Sequence, residues 1–215
     1  MVLKGTSRRY TYFRFRQDLT LEVVVPRGTK IDVEKVLRSK LAWIAREHRR
    51  MAEVRGVLGA GRVMFAGAYL SVVPSPDGSE FVPRPDLGEV QVGTADPRHL
   101  RELVRRWFLK ETSAYVVKRV AELAPAVGVR PSRVDVREIG KWGYCTRTGR
   151  LSFSWQLAAL SDRLREYVVL HELTHLAEFN HSPRFREKLA RVCPDYRQRE
   201  RDLDRVIPYD RMAAI

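Results

Sequence analysis

Residues 171–175 read His-Glu-Leu-Thr-His, inside a run whose apolar residues Leu164, Tyr167, Val168 and Val169 recur at helical spacing. At 3.6 residues per turn, positions i and i+4 share a face, so His171 and His175 can reach one cation. Glu172, one residue round the helix, can sit beside a further coordination position without filling it and take a proton from an attacking water. The pattern demands a helix, and demands that two imidazoles and a carboxylate project from adjoining positions of it.

A pentapeptide of this form also arises by chance on exposed helix faces, so its context decides. A third histidine, His181, follows six residues after His175, and three of the chain's 5 histidines fall in this one window. Asn180 tolerates the left-handed conformation that ends a helix, and Ser182-Pro183 has the form of a cap and first position of a new one. A sharp break at Asn180 is therefore expected to swing His181 back toward the pair. Three neutral imidazoles and one open position are the usual ligands of catalytic zinc. The expected cofactor is one Zn2+ per chain, held by His171, His175 and His181, with no organic cofactor. The expected reaction is hydrolysis by a metal-activated water, with Glu172 as general base. The metzincin pattern has the same third-histidine spacing but needs glycine three residues after the second histidine. Glu178 stands there, so the turn is expected later and a metzincin is disfavoured.

The rest of the chain reads as mixed helix and strand. Residues 10–15 and 19–25 alternate apolar with polar and predict two strands joined by a turn near Gln17-Asp18. A helix is expected from Asp32 to about Met51; His48 within it is a lone helical histidine, read as surface or core. Strands are expected over 62–73. Residues 74–97 are rich in proline and glycine and read as a linker or hairpin-rich boundary. The predicted domains are thus 1–90, a β-rich N-terminal subdomain with one helix, and 91–215, a catalytic domain. Asp96-Pro97 starts a long amphipathic helix ending near Pro125 and Gly128. Strands are expected over 133–139 and 151–157, then helices over 162–179, 183–192 and 197–206. The strand 151–157 reads equally as an edge strand able to pair with an extended peptide, or as an internal strand packing Phe153 and Trp155.

The chain has 215 residues, 44% of them apolar, ample for a buried core, with no run long enough to span a membrane. The first residues lack the apolar block of a signal peptide, so a cytoplasmic location is expected. Its 2 cysteines, Cys145 and Cys193, form no CxxC pair and read as buried or half-buried thiols. The net charge of +14 suits polyanionic partners, nucleic acid among them, or simply a solvated basic surface.

Taken together, the segments Tyr167–Leu176, Asn180-His181-Ser182 and Phe185, Lys141–Cys145, Gly149–Trp155 and Pro194-Asp195-Tyr196 resemble the YgjP-like metallopeptidase family, a neighbour of the WLM and SprT-like metalloproteases. Val25-Pro26-Arg27 and Trp43-Ile44 extend the likeness toward the N-terminus. The resemblance implies an α+β fold with a zincin-like core, in which a small sheet packs on the HExxH helix, and a zinc metallopeptidase acting on protein or peptide. It implies the same ligands, His171, His175 and His181, and the same carboxylate, Glu172. Three positions depart from the family pattern: Tyr144 for serine, Ser154 for asparagine and Arg186 for tryptophan. None is a ligand, and Cys145 is read as packing. Two other functions fit parts of the sequence: a metal-dependent nucleotide phosphoanhydride hydrolase, and a nucleic-acid-binding module with structural zinc.

Overall fold

The computed structural model describes residues 2–6, 11–15, 20–28, 32–58, 61–76, 78, 81–94 and 96–206. These fall into two compact units divided between Gly61 and Arg62. In the smaller unit, β3 (Leu21–Pro26) lies between β1 (Val2–Thr6), parallel to it, and β2 (Tyr12–Phe15), antiparallel. Val23, Val24 and Val25 of the central strand are buried. β1 was not expected, because its strand character rests on pairing with β3, a partner distant in sequence. The expected turn at Gln17-Asp18 lies outside the described residues. The helix α1 (Val33–Leu58) is capped as its sequence predicts, the Asp32 carboxylate accepting from the Lys35 N–H at 3.0 Å, and it runs past Met51. Phe13 meets Trp43 of this helix edge-on, with ring centroids 6.3 Å apart.

The larger unit opens with a four-stranded sheet in the order β4 (Arg62–Phe65), β5 (Ala68–Pro74), β7 (Glu89–Val92) and β6 (Phe81–Arg84). The expected boundary near residue 90 therefore falls inside this unit. The segment read as a linker supplies two of its strands, β5 pairing in parallel with β7 and β6 antiparallel to it. This sheet is tied to later parts of the same unit: the Ala66 and Gly67 N–H groups donate to Ala158 and Ala159 carbonyls at 2.9 and 2.8 Å. Phe65 packs on Trp107 at 4.4 Å between ring centroids.

The helix α2 (Pro97–Val127) comes next and ends at Gly128, whose φ of 74° lets Val129 N–H return to the Ala124 carbonyl. It leads into a second sheet in the order β8 (Arg133–Arg137), β10 (Arg150–Ser154), β9 (Gly143–Cys145). β10 is central, parallel to β8 and antiparallel to β9. The edge-strand reading of 151–157 is thereby corrected: the internal alternative holds, Phe153 is fully buried, and the edges belong to β8 and β9. The strand also stops early. The Ser154 hydroxyl accepts from the Gln156 N–H at 3.3 Å and turns residues 155–159 into a buried 3-10 segment.

Three helices complete the chain: α3 (Asp162–Ala177), α4 (Pro183–Val192) and α5 (Tyr196–Leu203). Leu151 and Phe153 of β10, Val116 and Val120 of α2, and Val168, Val169 and Leu173 of α3 form one core. The architecture is α+β. Ion pairs staple the helices together: Arg163 holds Asp195 at 3.0 Å and Asp202 at 2.8 Å, and Arg199 holds Asp195 at 2.8 Å and Glu166 at 3.1 Å. Arg119 of α2 reaches the same Glu166. Such exposed pairs stabilise little singly, and their value here is in fixing the geometry of α5 against α3. Among the described residues no helix is long and apolar enough to cross a membrane.

Thr112 links α2 to the 3-10 segment, its buried hydroxyl donating to the Trp155 carbonyl at 2.8 Å and accepting from the Ala158 N–H at 3.2 Å. Thr112→Val keeps the shape and removes both of these buried hydrogen bonds. It should lower stability by about 2 kcal/mol, read as a shifted denaturant midpoint at unchanged slope.

Candidate active site

α3 is buried on nearly every side: Leu164, Val168 and Leu173 face the sheet core, and Tyr167 and Leu170 pack with Phe185 and Leu189 of α4. His171 and His175 project from the stripe left between these surfaces. The helix stops at Ala177, and Glu178 leaves it in extended backbone, φ −152° and ψ 103°. The left-handed break expected at Asn180 is not formed; among the described residues Ala66 is the one non-glycine with positive φ. The turn is made earlier and differently. The Glu178 carbonyl points back at His175, 3.2 Å from its Nδ1, and the Asn180 carbonyl accepts from the Ser182 N–H at 2.7 Å. Ser182 then caps α4 as predicted, its hydroxyl accepting from the Phe185 N–H at 3.2 Å.

This path brings His181 to the pair. His171 Nε2 lies 3.1 Å from His175 Nε2 and 3.1 Å from His181 Nε2. Phe185, one turn into α4, closes the floor beneath them, with its ring centroid 4.5 to 5.1 Å from all three imidazoles. The three donor atoms gather where one ion could meet them all. Two zinc–nitrogen bonds of about 2.05 Å at a tetrahedral angle separate their nitrogens by about 3.3 Å, so the observed spacing fits a shared divalent ion.

Tautomers support the same reading. If Nδ1–H of His175 donates to the Glu178 carbonyl, its Nε2 presents a lone pair to the centre. His171 Nδ1 lies 3.5 Å from the Tyr167 hydroxyl and can be oriented in the same way. Burial, then the neighbouring imidazoles, pushes His171 down to about 3, and burial also lowers His175. Both are therefore neutral at pH 7, the form that ligates.

Glu172 points to the other side of His171, into a cleft of about 210 Å³ that it shares with His171, Trp142 and Gly143. It is 6% exposed, and its carboxylate takes no hydrogen bond among the described residues. Burial holds its pKa up, to about 8, with Lys141 drawing it slightly down. Gly143 of β9 lies against it so closely that a Cβ there would fall 2.8 Å from the Glu172 Cγ. The cysteines are not reactive groups: Cys193 is buried, Cys145 half-buried, and burial raises both thiols to about 11.

The four residues singled out from the sequence thus stand together. Reasoning from sequence missed three that shape their surroundings. Tyr167 lies one turn before His171, a spacing that could have suggested it. Phe185 was seen as part of a motif without a role, and the closeness of Gly143 to Glu172 had no local signal because β9 is only three residues long.

None of the curated proteins matches the chain. The crystal structure of the metallopeptidase zymogen of Pyrococcus abyssi abylysin is similar at 19% identity, covering 41% of this chain and 90% of that one, with a TM-score of 0.38. The model of the YgjP-like, metallopeptidase domain matches residues 9–206. With nearly its whole length matched, the chain belongs to the YgjP-like metallopeptidase family.

Proposed function

We propose that this protein is a zinc-dependent peptidase of the HExxH class with a zincin-like core, in which His171, His175 and His181 hold one Zn2+ and Glu172 is the general base. The observation that carries this reading is the meeting of three imidazole nitrogens beside a buried carboxylate that takes no hydrogen bond among the described residues. Bound zinc would act as a Lewis acid that brings a water toward neutral pKa and favours the ionised form of Glu172. Glu172 accepts the proton as water attacks the scissile carbonyl and returns it to the departing nitrogen. Tyr167 and the Glu178 carbonyl keep the two helical imidazoles in the ligating orientation. The free edge of β9, beside Glu172, can pair with the backbone of an extended substrate.

Neither alternative function is favoured. A nucleotide phosphoanhydride hydrolase would want carboxylates for magnesium, and the metal-capable group among the described residues is made of imidazoles. Structural zinc usually takes four protein ligands and has no use for a carboxylate placed like Glu172. The net charge of +14 suits protein substrates held near nucleic acid, and the two unpaired thiols suit a reducing, cytoplasmic setting.

Purified protein should carry one equivalent of zinc by elemental analysis, lost in His171→Ala and in His175→Ala. Glu172→Gln should keep the metal while peptide cleavage falls on the order of 10²- to 10⁴-fold, the usual worth of a general base; unchanged turnover would sink the assignment. Gly143→Ala should also retain zinc, because the three atoms nearest a Cβ there all belong to Glu172. Its methyl displaces the Glu172 carboxylate, and a shift of that kind should lower kcat by about 10²-fold, with far less effect on KM.

A further inference from the structure

A second cavity, of about 480 Å³, opens between α3, α4 and α5 on the other side of the histidines, and His171 and His181 form part of its wall. Its floor is apolar: Phe185 and Leu189 are buried, and Tyr167 and Tyr196 nearly so. Its rim is cationic, with Arg186 from α4 and Arg197 and Arg201 from α5. These three line the cavity without a carboxylate partner, unlike several arginines around them. Arg163 and Arg199 are each committed to carboxylates of the fold, and Arg191 to Glu187. Among the described residues Arg186 has no ion pair, Arg197 donates only to the Tyr196 hydroxyl at 3.2 Å, and Arg201 only to the Gln198 side-chain carbonyl at 2.5 Å. Glu200 is the one acid lining the pocket, so three guanidinium groups face a single carboxylate.

An apolar floor beneath an uncompensated cationic rim fits a ligand with the opposite arrangement: aliphatic stems ending in anions. We propose that this pocket is a substrate subsite selecting an acidic segment, glutamate above all, of the polypeptide whose scissile bond lies over the histidines. Glutamate lays its two methylenes on Phe185 and Leu189 and presents its carboxylate to the planar donors of Arg186, Arg197 and Arg201. The cavity is larger than one such side chain, so it takes a short acidic stretch. The inference rests on the peptidase reading above, and its test is arranged so that the two fail separately.

Binding is read by fluorescence anisotropy on full-length, zinc-loaded Glu172→Gln protein, which does not turn substrate over. The probes are a labelled peptide containing a run of glutamates and its glutamine and lysine counterparts. The glutamate peptide should bind on the order of tenfold tighter than the glutamine one, the sum of a few exposed charge pairs. Adding R186E, R197E and R201E together should abolish that preference and favour the lysine peptide, a reversal that an unfolded variant could not give. Arg184→Glu, on exposed α4 surface outside the pocket, should leave the preference in place. Equal binding of glutamate and glutamine peptides overturns the proposal. So does loss of preference in Arg184→Glu as complete as in the triple variant, which would mean a diffuse field. A nucleoside triphosphate that displaces the peptide and is hydrolysed by the wild type, with no discrimination among peptides, overturns it too. If glutamate is preferred but wild type cuts no peptide, the peptidase reading fails and the subsite stands. If acidic and neutral peptides are cut with equal kcat/KM, the subsite fails and the activity stands.

Discussion

Beyond its first turn α3 is enclosed on nearly every side and has almost no solvent face on which to leave its polar residues, and this constraint governs the larger unit. Each polar side chain it carries must be satisfied inside the protein or have a reason to stay unsatisfied. Most are satisfied. Thr174 returns its hydroxyl to the Leu170 carbonyl at 2.7 Å, Arg165 lies over the Tyr115 ring at 4.6 Å, and Glu166 is shared by Arg119 and Arg199. Glu172 stands apart by its position: it is buried, its carboxylate takes no hydrogen bond among the described residues, and it lines the cleft beside His171. Holding a carboxylate there without a hydrogen-bonding partner has a cost that packing does not recover, and chemistry at the adjoining imidazoles is the natural compensation.

The neighbours of α3 are there to hold that arrangement. α4 begins at the serine cap directly after His181, so the residue that delivers the third imidazole also sets the direction of the helix whose Phe185 closes the floor beneath it. α5 is fixed through Arg163 and Arg199, which grip Asp195 at its start and Asp202 near its end. The three imidazoles and the second cavity therefore share one framework, and a change in how α4 and α5 sit would disturb both.

Where signals were local, they were legible in the sequence. α3 and α4 follow from apolar periodicity and from Ser182-Pro183, and the meeting of His171, His175 and His181 follows from spacing. Where the outcome depends on a partner elsewhere, local reading failed. The break after α3 falls at Glu178 in extended backbone because its carbonyl is oriented to the His175 ring, an interaction that no left-handed residue announces. β6 and β7 lie in a segment dense with turn residues, and β7 owes its strand to parallel pairing with β5. β10 could not be placed at an edge or a centre from its own residues, since β8 and β9, which decide the matter, are short and lie on either side of it in space.

Net charge was the least local signal of all. A value of +14 over the chain could mean a nucleic-acid surface or only a solvated one, and the ion pairs narrow it by showing which arginines near the histidines are already committed to the fold. The remainder is uneven: the cavity on the α4–α5 side keeps three guanidinium groups against one carboxylate, while the cleft on the β9 side is walled by Trp142, Gly143, Leu203 and the carboxylates of Glu172, Glu200 and Asp204. Tyr167, His171 and Glu200 line both. A chain long enough to occupy both spaces must pass over His171, with an anionic portion drawn to one side and its backbone offered to the edge of β9 on the other. The asymmetry of charge about the imidazoles would then fix the direction in which such a chain lies, before any contact at the scissile bond itself.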